Sequence, residues 1–389
     1  MRREAGFSLI ELVVAGGITL VVVAGLFTML HPSHGAFETG VEAADMQQRL
    51  RVAVDALIGD LTMAGAGAFV GGHVGPLMRY VAPVMPFRRS QSAGDPAGTF
   101  RPDTITILSV PATAAQTTLA ADLLPPELTL QASTGPGCPL GVNLCGFKVG
   151  TPVLVFDGTG AADAFTVAAV NDAAAQLTLT ARPEGAEDTI YKQGSTVVEA
   201  RLHTYFLKLD SSSHTWRLMH SDGTGGSDVP VVDHVVSLGF EYEGEPRPPS
   251  LMANGETSYG PAPPAAGTKP TGYPAGENCA FRIDEVSGLP VGRLAELTTG
   301  TALVPLAEAQ FTDGPWCPDE TSSNRWDADL LRIRRVHVRV RVEAAAAALR
   351  GPAGALFANG GTSRGGNRWL PDQELRFQVA PRNMNLERE

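Results

Sequence analysis

The chain has 389 residues and a formal net charge of −11. No basic block dominates this acidic background, so we expect no nucleic-acid partner. The 43 glycines and 29 prolines predict many turns and long loops, while the length is ample for a buried core.

An apolar segment near the N-terminus, residues 7–30, is the clearest pattern in the chain. Its 24 residues carry one formal charge, Glu11, and a helix of this length reaches across the hydrocarbon layer of a bilayer. Arg2 and Arg3 precede the segment, which predicts a cytoplasmic N-terminus and a single-pass topology. A secretory signal peptide has a shorter apolar run and a small-x-small cleavage site, so the pattern favours a membrane span.

Glu11 lies inside this span, where a carboxylate costs roughly 2.5 to 3.5 kcal/mol on insertion scales. No Lys, Arg or His lies within residues 7–30 to pair with it. Its partner must therefore come from outside the span, or be a new charge that processing of the chain creates. An acid in this position is a functional-site hypothesis.

The sequence REAGFSLIE, residues 3–11, resembles the class III signal of type IV pilins and pseudopilins. The resemblance implies a leader peptide of residues 1–6, prepilin peptidase cleavage between Gly6 and Phe7, and N-methylation of the new terminal Phe7. It also implies that Glu11, the fifth mature residue, meets the α-amine of a neighbouring subunit during assembly. That contact would supply the missing partner and fix the register between packed helices.

The residues after the span predict a second, amphipathic half of the helix, residues 31–64. Pro32 should bend or interrupt the helix, and Gly65 begins a stop signal. The run from 60 to 65, DLTMAG, resembles the end of the first helix in PilW-type minor pilins, with Thr62 where that family has Arg. Apolar residues recur between these points at helical steps: Phe37, Val41, Ala44, Met46, Leu50, Val54, Leu57, Ile58 and Leu61.

Residues 65–389 predict a β-rich globular domain. Alternating polar and apolar residues indicate strands at 103–110, 152–156, 165–170, 177–180, 197–209, 216–219, 231–242, 335–342 and 375–379. Residues around 111–195 form an insertion compared with small pseudopilins. We therefore predict an α+β, type IV pilin-like fold: a long N-terminal α-helix packed on an antiparallel β-sheet, with a β insertion and long loops.

Four cysteines fall into two sequence-near pairs, Cys138 with Cys145 and Cys279 with Cys317. Four cysteines allow three connectivities, and we favour two local disulfides because the compartment beyond the membrane is oxidising. Free thiols are the alternative. A zinc site on these cysteines is weaker still, because no CxxC spacing or companion histidine cluster is present.

Other candidate sites are less specific. His214 and His220 flank Trp216 and would be metal ligands if a hairpin brought them together, although isolated surface histidines are commoner. Residues 335–342 place Arg335, His337, Arg339 and Arg341 on one strand face, either as a solvated face or as a surface for an anionic partner. We find no catalytic motif, dinucleotide loop or ordered calcium loop, so the prediction is of no enzyme, no cofactor and no metal.

The resemblance to PilW-type minor pilins implies a role in initiating type IV pilus assembly, at or near the pilus tip. The implied partners are prepilin peptidase, other minor pilins, the major pilin and a tip adhesin. The implied location is the inner membrane, with the C-terminal domain in the periplasm, and then the pilus at the cell surface. Two alternatives stay open: a J-like minor pseudopilin of a type II secretion system, and a membrane-tethered periplasmic enzyme or binding protein. A tether needs neither Gly6 nor Glu11.

Overall fold

The computed structural model describes residues 8–70, 73–74, 76–89, 94–112, 115–135, 137–158, 161–180, 189–223, 228–253, 257–269, 271–350 and 370–386. In these residues the fold is α+β, with one long N-terminal helix and antiparallel sheets. The chain divides into two compact units. One comprises Met1–Arg51 and Val342–Gln373, and the other comprises Val52–Arg341 and Glu374–Glu389.

Helix α1 runs from Leu9 to Met63 and has 55 residues, which corresponds to a length of about 82 Å. Of the two effects predicted for Pro32, a bend or an interruption, the interruption is not found, because the helical backbone continues through this residue. A proline removes one amide donor, and the hydrogen bonds of the turns on either side still hold the helix. The predicted stop is confirmed: Gly65 has a φ of 75°, a left-handed conformation that glycine adopts without strain.

The β part of the described residues is much larger than the helix. Its strands are β1 (Phe69–Val70), β2 (His73–Val74), β3 (Val84–Met85), β4 (Ile105–Ser109), β5 (Gln116–Thr118), β6 (Thr129–Gln131), β7 (Pro152–Phe156), β8 (Ala162–Asn171), β9 (Gln176–Leu179), β10 (Thr196–Glu199), β11 (Arg201–Asp210), β12 (Thr215–Ser221), β13 (Val229–Asp233), β14 (Val235–Gly244), β15 (Phe281–Ile283), β16 (Pro290–Gly292), β17 (Val304–Leu306), β18 (Trp316–Cys317), β19 (Trp326–Asp327), β20 (Ile333–Val342) and β21 (Gln373–Val379). Short 3₁₀ helices cover Leu77–Arg79, Glu308–Phe311, Ala328–Arg332, Ala347–Leu349 and Arg382–Met384.

A six-stranded antiparallel sheet has the order β5-β10-β7-β8-β9-β6. It has a hydrophobic core of its own, which includes Leu119, Phe147, Val155 and Leu177. The strands of this sheet lie between Ala115 and Glu199, a stretch that we call the six-stranded segment. Its two ends are adjacent, because the amide of Glu199 donates to the carbonyl of Ala115 at 2.8 Å. The six-stranded segment is thus folded largely on itself.

A five-stranded antiparallel sheet, β13-β12-β11-β4-β3, supports the last turns of α1. Leu57 and Leu61 of the helix have no exposed surface. The Tyr205 hydroxyl on β11 donates to the Asp60 carboxylate of the helix at 2.5 Å. Apolar burial and this hydrogen bond together hold the helix end on the sheet.

A four-stranded sheet, β17-β14-β20-β21, contains the alternating strand β20. Its four valines, Val336, Val338, Val340 and Val342, are buried as the alternation predicts. The fold therefore has several sheets, and the β part dominates over a single helix packed on one sheet.

The unit that contains the start of α1 also includes part of the segment after β20. Glu42 on the helix accepts a hydrogen bond from the Ala345 amide. Arg49 donates to the Glu343 carbonyl at 3.5 Å and forms an ion pair with Asp45 one turn earlier. These polar contacts join residues 343–345 to the middle of the helix.

Candidate functional site

The first 20 residues of α1, Leu9–Thr28, form the one helical stretch of the described chain that is long and apolar enough to cross a membrane. At 1.5 Å per residue it spans about 30 Å, the thickness of the hydrocarbon layer. All of its side chains are exposed in the isolated chain, with Leu9 85% and Leu20 72% exposed. So much contiguous apolar surface requires lipid or other protein segments to cover it.

The hydroxyl groups within this stretch are satisfied by the helix itself. The Thr19 hydroxyl donates to the Ala15 carbonyl at 2.7 Å, and the Thr28 hydroxyl donates to the Gly25 carbonyl at 2.8 Å. These hydroxyls therefore need no outside partner in an apolar environment. Glu11 remains the single ionisable group of the stretch.

Glu11 and Ser8 form a reciprocal cap at the start of α1. The Ser8 amide donates to Glu11 Oε2 at 2.9 Å, and the Glu11 amide donates to Ser8 Oγ at 3.3 Å. The S-x-x-E spacing gives this capping box, which satisfies two amides that lack helical partners. The box places the carboxylate at the first turn, and no cation in the described part of the chain pairs with it. A cation that neutralises the Glu11 carboxylate would therefore have to come from outside the described residues.

Gly6 and Phe7, the predicted cleavage pair, lie outside the described residues. Their processing and the N-methylation of Phe7 remain predictions.

Both predicted disulfides are confirmed. Cys138 is bonded to Cys145 within the six-stranded segment, and Cys279 is bonded to Cys317, the last residue of β18. Sequence proximity was the signal that identified both pairs.

The β11–β12 hairpin does not bring His214 and His220 together, so the condition for a metal site on these two residues is not met. His214 lies at the exposed turn between β11 and β12 with a φ of 53°, and the ring beside His220 belongs to His203. The β11–β12 register pairs His220 with Tyr205, so His203 is its diagonal neighbour on the same face of the sheet. A sequence pattern does not specify this register, and His203 was therefore missed.

The basic face of β20 is only partly available to a partner. Arg335 donates to Glu243 at 2.8 Å, and His337 lies 3.3 Å from the same carboxylate. Arg341 is 2% exposed. These contacts support the interpretation of this face as one balanced by acidic neighbours rather than as an open anionic-partner surface.

No protein-family model matches the chain, and no curated protein sequence matches it.

Proposed function

We propose that the protein is a PilW-like minor pilin that takes part in initiating type IV pilus assembly and lies with other minor pilins at or near the pilus tip. The observation that carries the proposal is the exposed apolar stretch Leu9–Thr28 of α1 with its single charge, Glu11, held in the first turn. A J-like pseudopilin of a secretion system or a tethered periplasmic protein would share the helix. A tether would not need a charged first turn.

The physical work of assembly is helix exchange between two apolar environments. Lipid tails and the helical core of a filament are similarly apolar, so transfer of residues 9–28 between them changes little hydrophobic free energy. Van der Waals packing and polar contacts then decide which helix arrangement is preferred. Glu11 is the one group in this stretch whose electrostatic energy depends strongly on how far neighbouring helices are offset along their axes.

Cleavage after Gly6 would create a positive α-amine at Phe7, close in sequence to Glu11. In a bundle of such helices the carboxylate of one subunit can meet the amine of another at one axial offset. Breaking a buried ion pair costs about 3–5 kcal/mol, because an unpaired charge is left in an apolar environment. The pair would therefore fix the register of a newly added subunit.

The first test is the N-terminal mass of the protein from membranes of cells with and without prepilin peptidase. The proposal expects a chain that begins at N-methyl-Phe7 when the peptidase is present, and an uncut chain when it is absent or when Gly6→Ala is introduced. A cut beyond Leu30, or an uncut chain in both strains, would contradict it.

The second test separates the two roles of Glu11. A glutamine at position 11 can still accept from the Ser8 amide, so Glu11→Gln keeps the cap and removes the charge. Ser8→Ala is the matched control, because it removes a cap worth about 0.5–2 kcal/mol and keeps the charge. The measured quantity is the amount of the protein in sheared pili relative to the membrane fraction.

We expect Glu11→Gln to lower this ratio about tenfold or more, since the ion pair is lost, and Ser8→Ala to change it little. If Ser8→Ala lowered the ratio more than Glu11→Gln did, Glu11 would act only as a helix cap. The proposed assembly role would then fail, and a membrane tether would be the better description.

A further inference from the structure

Three side chains converge where the end of α1 lies on the β11–β12 hairpin. Asp60 comes from the helix, His203 from β11 and His220 from β12, and their nearest ligand atoms all lie within 4.8 Å of one another. His203 Nδ1 is 2.8 Å from His220 Nε2 and 3.3 Å from Asp60 Oδ2. We propose that these three residues form a binding site for a divalent first-row transition-metal ion such as Zn²⁺.

The ligand chemistry selects this class of metal. Two imidazole nitrogens with one carboxylate oxygen suit Zn²⁺, Ni²⁺ or Cu²⁺, whereas Ca²⁺ and Mg²⁺ require a shell of oxygen atoms. Three protein ligands leave at least one position for water. The site allows this, because the side chains of His203 and Asp60 are 18% and 26% exposed.

The distances are compatible with one shared ion. At metal–ligand distances of about 2.0–2.1 Å, the 3.3 Å separation of His203 from Asp60 corresponds to an angle of about 107°, close to tetrahedral. The 2.8 Å separation of the two rings corresponds to about 86°, which suits a square or octahedral arrangement. An increase of about 0.5 Å in the distance between His203 Nδ1 and His220 Nε2 would give a tetrahedral site.

A hydrogen-bonded cluster without metal accounts for the geometry less well. His203 Nδ1 lies close to two atoms at once, His220 Nε2 and Asp60 Oδ2. A single hydrogen on Nδ1 cannot point at both atoms, and if His220 Nε2 carries the hydrogen and donates to a bare Nδ1, the Nδ1 atom still faces the carboxylate oxygen. A cation between the three atoms satisfies all of these lone pairs together.

Tyr205 supplies the outer support that metal ligands usually have. Its hydroxyl donates at 2.5 Å to Asp60 Oδ2, the same oxygen that faces His203, and the Tyr205 side chain is nearly fully buried. Such a bond orients a ligating carboxylate. The proposed ion would join the helix to two strands that are distant from it in sequence, and this inference does not depend on the proposed pilin function.

The test uses the untagged full-length chain in detergent, dialysed against micromolar ZnCl₂ and analysed for bound metal and for thermal unfolding. We expect one Zn²⁺ per chain, a zinc-dependent rise in the unfolding temperature and no competition from equimolar Ca²⁺. His203→Gln and His220→Gln should each weaken zinc binding more than tenfold. His214→Gln, at the exposed turn of the same hairpin, should bind as the wild type does. Tyr205→Phe should weaken binding about tenfold through the lost support of Asp60.

Failure to bind one Zn²⁺ per chain, or equal binding by the His203→Gln/His220→Gln double variant, would overturn the proposal. If these variants do not fold, the absorption spectrum of the wild type with Co²⁺ decides the question. Four- or five-coordinate Co²⁺ with nitrogen ligands is the expected species. A spectrum identical to that of six-coordinate aqueous Co²⁺ would show that the site does not bind metal.

Discussion

The two disulfides differ in the length of chain that they close, and this difference predicts how much each contributes to stability. The Cys279–Cys317 bond joins residues 38 positions apart, and the Cys138–Cys145 bond joins residues 7 positions apart. In the chain-entropy model, closing these loops restricts the unfolded chain by about 3.9 and about 2.4 kcal/mol at 25 °C. The longer loop should therefore contribute about 1.5 kcal/mol more.

The perturbation is removal of one bond at a time, by Cys279→Ala/Cys317→Ala or by Cys138→Ala/Cys145→Ala. Urea unfolding of the full-length chain in detergent, followed by near-ultraviolet circular dichroism, measures the free energy of unfolding. Burial of Cys279 and Cys317, 4% and 2% exposed, adds a small cavity cost in the same direction. The pair of variants thus tests both the magnitude and the order.

A loss in the Cys138→Ala/Cys145→Ala variant that equals or exceeds the loss in the other variant would refute this reasoning. The control is the same measurement on the wild type and both variants in reductant, because all three proteins then lack disulfides. Their free energies of unfolding should converge, apart from the cost of the alanine substitutions.

Two further predictions concern pH and helix packing. Burial raises the pKa of Asp327 to about 7, against the lowering effect of the Asp329 and Gly314 amides that donate to it. Because this folded-state pKa is above the ordinary 3.8, the contribution of Asp327 to stability is greatest below pH 3.8 and is lost as the pH rises through about 7. Asp327→Asn should flatten this part of the profile of unfolding temperature against pH, and an unchanged slope would contradict the assignment. Leu61→Ala should cost about 2–5 kcal/mol because Leu61 is fully buried, whereas Ile58→Ala, at a 38% exposed position of the same helix, should cost less than about 1 kcal/mol. Equal losses in a chemical unfolding experiment would contradict the helix orientation.

Local patterns were sufficient for much of the fold. The helix was predicted because apolar residues recur at helical steps and Gly65 follows as a stop, and the strand 152–156 was predicted with the bounds that β7 has. Strict alternation predicted the buried valine face of β20. Each of these features depends on residues that are neighbours in sequence, so periodicity identifies them.

Features that depend on contacts between distant residues were not predictable in this way. The approach of His203 to His220 follows from the register of β11 on β12, and the approach of Asp60 to both follows from the seating of the helix. Arg341 alternates with the valines and yet is buried, because neighbouring elements cover it. The periodicity of each helix and strand can be recognised in a single sequence, whereas the order of the strands in the sheets cannot.

The adjacency of Ala115 and Glu199 has a consequence for how this protein can change over evolutionary time. A segment whose ends meet can be gained, lost or exchanged as a unit, because the rest of the chain has only a short gap to close. The six-stranded segment also has its own core and its own disulfide. Substitutions can therefore accumulate on the outer surface of the six-stranded segment under selection. The helix α1 and the five-stranded sheet that supports its last turns are constrained separately.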